Sequence, residues 1–316
     1  MDVDLPPYRP PLWLRNGHLQ TVLPALFREV EGVAYDRERI DLPDGDFLDL
    51  DWAERGRPDV ALVAHGLEGS ADRAYIRGMT RALAARGWSV CAWNMRGCSG
   101  EPNRTLGAYH SGSSHDLDAV VAHALAGGAE RVALVGFSLG GNVTLKWLGE
   151  QGADVDARVV GAVALSVPVD LASSADVMEH WSRRLYMRRF LRSLEHKVAE
   201  KATRYADAPS ARAVRQMTTF REFDGHFTAP VHGFADAQDY WRRASSLPLL
   251  GDIRVPTLLV QAQDDPFLSR ACFPVETARS SGWLRLLAPR FGGHVGFMAP
   301  GEFWSEQTAG RFLGAL

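Results

Sequence analysis

Cysteine is scarce in this 316-residue chain: Cys91, Cys98 and Cys272 are the only three. An odd, small number argues against a disulfide framework and fits a reducing compartment, so a cytoplasmic location is the default expectation. No run of about 18 uncharged apolar residues occurs, and no bilayer span is expected. The first stretch, MDVDLPPYRPPLWLRNGH, combines an early acid with several prolines and reads as neither a signal peptide nor a membrane anchor. Basic excess is missing too. With 35 Lys and Arg against 38 Asp and Glu, the net charge of −3 gives no global case for a nucleic-acid partner, and any basic patch must be local. Internal repeats and low-complexity tracts are absent. So are HExxH and comparable ligand spacings, although His110, His115 and Asp116 lie close together. The phosphate-loop patterns GxGxxG and GxxxxGK[ST] do not occur around residues 136–146. The sequence therefore implies no metal and no organic cofactor.

What is present is an alternation of β-rich runs and helical patterns. RERIDL and FLDLDW flank the turn Pro43, Asp44, Gly45, Asp46 and predict an antiparallel hairpin. DVALVAHG, WSVCAWNM, RVALVGF, RVVGAVALSV, VPTLLVQAQ and WLRLLAP are nearly continuous apolar runs, as expected of strands covered on both faces. Between them, Ile76, Met79, Leu83 and Ala84 recur at helical spacing ahead of Gly87. Residues 116–126, 139–148 and about 272–280 also read as helices, and a last helix is expected after Gly301. Repeated β-α alternation builds a mostly parallel sheet with helices on both faces. Strand signals vanish over residues 171–248, which predicts a helical insertion dividing a core of residues 1–170 and 249–316.

The run VALVGFSLGGN carries Ser138 between an apolar strand and a helix, with Gly136 and Gly140 two positions away on either side. The GxSxG spelling alone is weak in a chain with 30 glycines. Its strand-turn-helix setting makes it a nucleophile elbow, where small flanking residues let strand and helix pass closely. A serine hydroxyl needs a base, and the base needs an orienting acid. His294 lies in a glycine-rich loop near the end. Asp264 and Asp265 follow the strand TLLVQAQ. A turn of the form small-x-x-Asp starting at Ala262 favours Asp265, with Asp264 as the alternative. The oxyanion donors are expected to be the backbone amides of Leu139, at a helix N-terminus, and of Leu67, in the loop HGLEGS. His65 in that loop reads as structural, and Cys98 as a small buried residue.

Taken together, NGHLQTVLPAL (16–26), HGLEGS (65–70), NMRGCSGEPNR (94–104), GFSLGGN (136–142), REFDGHFTAPVHGFADAQDYW (221–241), DDPF (264–267) and GGHVGF (292–297) resemble the YheT/EMB8 family of α/β-hydrolases. That family is similar in turn to lipases and phospholipases of the abhydrolase group. The resemblance implies an α/β-hydrolase fold with antiparallel N-terminal strands and an inserted helical cap, and a Ser138, Asp265, His294 triad acting on carboxylic esters, either small or lipid-like. Two other outcomes stay open: an acyltransferase using the same triad, and a ligand-binding protein with little turnover.

The insertion contains HWSRRLYMRRFLRSLEHKVAEKATRY, a basic helix with Trp181, Leu185, Phe190, Leu194 and Val198 as its apolar positions. Its plainer reading is a lid helix whose apolar stripe covers the site and whose charged face is solvated. The sharper one is peripheral contact with an anionic membrane.

Overall fold

The computed structural model describes residues 3–299 and 303–316. Gly301, after which the last helix was expected, lies outside the described residues. Eight strands form one sheet in the order β1-β2-β4-β3-β5-β6-β7-β8. They are β1 (Asp36–Asp41), β2 (Phe47–Ala53), β3 (Asp59–Ala64), β4 (Ser89–Asn94), β5 (Arg131–Phe137), β6 (Val159–Leu165), β7 (Thr257–Val260) and β8 (Leu284–Leu287). β1 and β2 form the expected hairpin, and β2 also runs antiparallel to β4. Every pairing from β4 to β8 is parallel.

The central strands carry Val, Leu and Ala on both faces because both faces are covered. Leu62, Leu134 and Ala164 point into one apolar layer, and Ala61, Val135 and Val163 into the other. Helices α1 (Gly17–Phe27), α2 (Ala74–Ala84), α3 (Ser114–Ala126) and α4 (Leu139–Gln151) precede the end of β6. Periodicity predicts the last three. It gives no sign of α1, whose apolar residues are largely exposed.

Between β6 and β7 the described chain forms no strand. It runs through α5 (Leu171–Glu179), α6 (Arg184–Arg204), α7 (Ala211–Gln216), α8 (Phe220–Phe223), a π-helical turn (Asp224–Thr228), α9 (Ala229–His232) and α10 (Ala237–Ala244). Helices α11 (Val275–Ser280) and α12 (Trp304–Leu313) complete the core. The apolar stripe expected on α6 needs a correction. Phe190, Leu194 and Val198 do face inward, joined by Met187 and Leu191, but Trp181 and Leu185 are each 80% exposed. The inward row steps by three and four from Met187, which turns positions 181 and 185 to the opposite side.

Candidate active site

Ser138 occupies the single-residue turn between β5 and α4, with φ +51° and ψ −119°, a conformation side chains rarely adopt. The turn is forced by close packing. A Cβ on Gly136 would lie 2.5 Å from the Gly140 carbonyl oxygen, and one on Gly140 would lie 2.4 Å from that of His65. Only glycine lets β5, α4 and the loop after β3 meet there. The Ser138 amide donates to the Leu165 carbonyl at 2.8 Å, tying the turn to the end of β6.

His294 Nε2 lies 2.9 Å from Ser138 Oγ, and its Nδ1 lies 2.9 Å from Asp265 Oδ2. The ring is largely shielded and the Asp265 carboxylate fully so, with side-chain exposures of 11% and 0%. Asp265 sits where the turn from Ala262 presents it, its amide donating to the Ala262 carbonyl at 3.2 Å. Its Oδ1 accepts the Phe267 amide at 2.8 Å, so one oxygen fixes the carboxylate and the other meets the imidazole. Asp264 points elsewhere. It accepts the Gly293 amide at 2.9 Å through Oδ1, leaving Oδ2 buried without a partner. Burial pushes its carboxyl above the usual range, and the neighbouring Asp265 charge adds to this.

The amides of Leu67 and Leu139 make no hydrogen bond among the described residues, and both residues line the cavity over Ser138. Gly66 brings the first of these loops close: a Cβ there would be 3.1 Å from the Ser138 Cβ. His65 is buried, and burial lowers its imidazole to about 4. Its Nε2 accepts the Met95 amide at 3.1 Å, so Nδ1 carries the proton donated to the Gly66 carbonyl at 2.8 Å. Both nitrogens are occupied in shaping the loop. His110 packs in the cavity wall against His232 and Tyr240, while Asp116 pairs with Arg96. Among the described residues no group of three His, Cys, Asp or Glu could hold a metal ion.

Sequence reasoning missed what supports the histidine loop. Thr21 of α1 accepts the His294 amide at 2.9 Å, while its own hydroxyl donates to the Gly17 carbonyl at 2.6 Å. Gln20, fully buried, accepts the Met298 amide at 3.0 Å. Gly17 presses on the acid turn so closely that a Cβ would lie 1.9 Å from the Asp264 carbonyl oxygen. The stretch NGHLQT was visible as a motif, but nothing in its spelling joins it to residues some 270 positions away.

A cavity of about 140 Å³ opens over Ser138. The core contributes Leu67, Leu139 and Phe267, and the helical insertion contributes Met178, Phe190 and Trp241. One acid interrupts the apolar wall. Asp224 of the π-helical turn accepts Thr228 Oγ1 at 2.7 Å and Trp241 Nε1 at 2.8 Å, and burial raises its carboxyl to about 6. A second polar cluster ties the loop after β3 to α6. Glu68, at φ +54°, accepts from Tyr109 and Ser193 and pairs with Lys197 at 2.9 Å. Burial works against the Glu68 charge, but Lys197 and the two hydroxyls outweigh it and hold the carboxyl below its ordinary value.

Strand order, elbow and the serine-histidine-carboxylate line together define an α/β-hydrolase, and the family model for the alpha/beta hydrolase fold matches residues 60–271. YheT of Escherichia coli is 38% identical over 90% of this chain and 84% of its own. The mouse phospholipase ABHD3 is 29% identical over 95% and 75%, and the monoacylglycerol lipase of Saccharomyces cerevisiae 26% over 95% and 78%. Among solved structures, the Pyrococcus furiosus esterase Pf2001 superposes with a TM-score of 0.62 at 16% identity, covering 99% of this chain and 98% of that one, a likeness of fold. The chain belongs to the YheT/EMB8 family of α/β-hydrolases.

Proposed function

We propose that this chain is a serine hydrolase of carboxylic esters, with Ser138 as nucleophile, His294 as general base and acid, and Asp265 as the group that orients and stabilises the imidazolium. The observation that carries this is the unbroken line of two 2.9 Å hydrogen bonds from Ser138 Oγ to Asp265, set beneath an apolar cavity. Ser138 attacks the ester carbonyl carbon while His294 Nε2 takes its proton. The carbonyl oxygen gains charge and is met by the free amides of Leu67 and Leu139, each such donor contributing about a hundredfold or more in rate. The leaving alcohol departs with the proton from His294, and a water deprotonated by the same nitrogen then releases the acid.

The helical insertion acts as a cap that supplies the acyl-chain wall, which suits esters with an apolar acyl group, in keeping with relatives that are named as lipases and phospholipases. Ser138→Ala should remove turnover of a p-nitrophenyl ester series and labelling by a fluorophosphonate while leaving the melting temperature within a few degrees of the parent. Retention of esterase activity in that variant would reject the mechanism.

A further inference from the structure

The outer face of α6 has no explanation in the hydrolytic site. Arg184, Arg188, Arg189 and Arg192 are all exposed, and none has an ion pair or hydrogen bond among the described residues. At about 100° per residue they fall on the same side as Trp181 and Leu185. No acidic residue occurs between Trp181 and Leu194 to balance them. Elsewhere Arg37, Arg39 and Arg96 are held by Asp51, Asp49 and Asp116. These four arginines repel one another, and the next acid along the helix, Glu195, is already paired with Arg215.

A second segment, joined to α6, also exposes apolar side chains. Leu12 and Trp13, just ahead of α1, are 77% and 63% exposed. The two segments are joined where the His18 ring stacks on Tyr186, with centroids 5.8 Å apart and planes within 7°, and the two are also 3.1 Å apart at hydrogen-bonding atoms. Tyr186 packs edge-on against Phe267, and Phe267 covers His294 with ring centroids 4.3 Å apart. The patch therefore borders the triad. A solvated face accounts for arginines but not for two tryptophans held in water.

We propose that this surface, formed by the outer face of α6 with Leu12 and Trp13, docks on a bilayer surface rich in anionic phospholipid. The arginines meet lipid phosphates. Trp13, Trp181, Leu12 and Leu185 enter the boundary between headgroups and acyl chains, where an indole has both an apolar body and a polar N–H to satisfy. Charge complementarity selects this occupant over a second copy of the chain. A two-fold contact would set the uncompensated arginine row against its equal, whereas anionic lipid supplies the missing counter-charge. The mouth of the cavity would then face a source of acyl esters.

The experiment is sedimentation of the whole chain with phosphatidylcholine vesicles, with and without phosphatidylglycerol, at low and high salt. The parent should partition onto the anionic vesicles only, and less so at high salt. Replacing Arg184, Arg188, Arg189 and Arg192 by Gln together should weaken partitioning on the order of several hundredfold, taking about fivefold per lost charge at the surface. Trp181→Ser with Leu185→Ser should abolish the part that survives high salt. Neither variant should change the melting temperature by more than a few degrees, nor the hydrolysis of a soluble ester in vesicle-free buffer, since Trp181 and Leu185 are each 80% exposed and the ring contact of Trp181 is with the adjacent His180. No partitioning by the parent, equal binding to both vesicle types, or full binding by the four-arginine variant would overturn the proposal. So would a dimer in sedimentation velocity that the Trp181→Ser, Leu185→Ser variant loses, which would identify a second copy as the occupant. A failed Ser138 test leaves this experiment untouched, because its readout is binding.

Discussion

The cavity over Ser138 has two walls that are built differently. On the core side, position is set by backbone contacts that admit no Cβ: Gly136 on Gly140, Gly140 on His65, Gly17 on Asp264. Ser138 is held in its strained turn by packing and by an amide bond to β6. On the insertion side, position is set by hydrogen-bonded and ion-paired polar side chains, Asp224 with Thr228 and Trp241, and Glu68 with Ser193 and Lys197. A wall fixed by backbone contact holds its catalytic atoms to a fraction of an ångström. A wall fixed by side-chain bonds can be loosened one residue at a time, so substitutions in the core wall should act on rate and those in the insertion wall on stability and fit.

The sharpest break lies within the core wall, between two adjacent carboxylates. Asp265→Asn keeps the shape, but with its oxygen held by the Phe267 amide it turns an NH2 donor toward His294 Nδ1 and forces the wrong tautomer, and it should lower kcat on the order of ten-thousandfold, as loss of the orienting acid does in such triads. Asp264→Asn retains an acceptor for the Gly293 amide and removes a charge that burial already disfavours. It should change kcat by less than about threefold, because this carboxyl is bonded to the Gly293 amide and not to the imidazole, and burial already disfavours its charge. Steady-state kinetics on one soluble ester, with both variants folded by circular dichroism, checks the pair. Equal losses would mean that the two acids share the role.

Legibility in the sequence follows the same division. The parallel strands were readable because burial on both faces leaves them almost continuously apolar, and Ser138, Asp265 and His294 because each follows one of those strands in a fixed order. Thr21, Gln20 and Gly17 were not readable as support for the histidine loop. Their partners lie at the far end of the chain, and α1 buries too little apolar surface to show a helical period. Asp224, Thr228 and Trp241 stood inside the motif REFDGHFTAPVHGFADAQDYW without a role, since short helices of four to eight residues hold too few turns for periodicity to say which side chain points inward. The exposure of Trp181 and Leu185 was misread for a related reason. Position 181 lies in a 3-10 turn ahead of α6, and the helix takes its inward row from Met187 and Leu191.

The insertion wall can be loosened at Lys197, the cation that joins α6 to the loop carrying Leu67. Lys197→Met leaves Glu68 as an enclosed anion with only the hydroxyls of Tyr109 and Ser193, and should cost about 2–3 kcal/mol of stability. It should also reduce kcat severalfold by freeing the Leu67 amide. Glu68 is held below its ordinary value in the folded protein. The stability it contributes is therefore complete above the unfolded carboxyl pKa of about 4.3 and is lost as pH falls through the lower folded value. The gap in melting temperature between parent and variant should narrow on acidification below that point. A gap that is constant from neutral pH to strong acid would assign Lys197 a packing role alone.

Asp224 gives the smallest expected change, and one of opposite sign. Its folded pKa of about 6 lies above the unfolded value of about 3.9, so the folded state binds more protons between them and the parent loses stability as pH rises through that window. Asn at this position can accept the Trp241 N–H through Oδ1 and donate from Nδ2 to the Thr228 oxygen, keeping both bonds without the charge. Asp224→Asn should thus be more stable than the parent above pH 6, by about 1–3 kcal/mol, with the advantage gone near pH 4. Asp224 is thus a carboxylate that costs the fold stability and is the one acid among the described residues lining the cavity. If its service is to the substrate, the stabilised variant should lose kcat/KM on esters bearing a hydroxyl or ammonium group while keeping it on plain alkyl esters of the same chain. Melting curves across pH and paired kinetics on such esters measure the two effects separately, and equal kcat/KM losses on both ester types would assign the residue to positioning the cap.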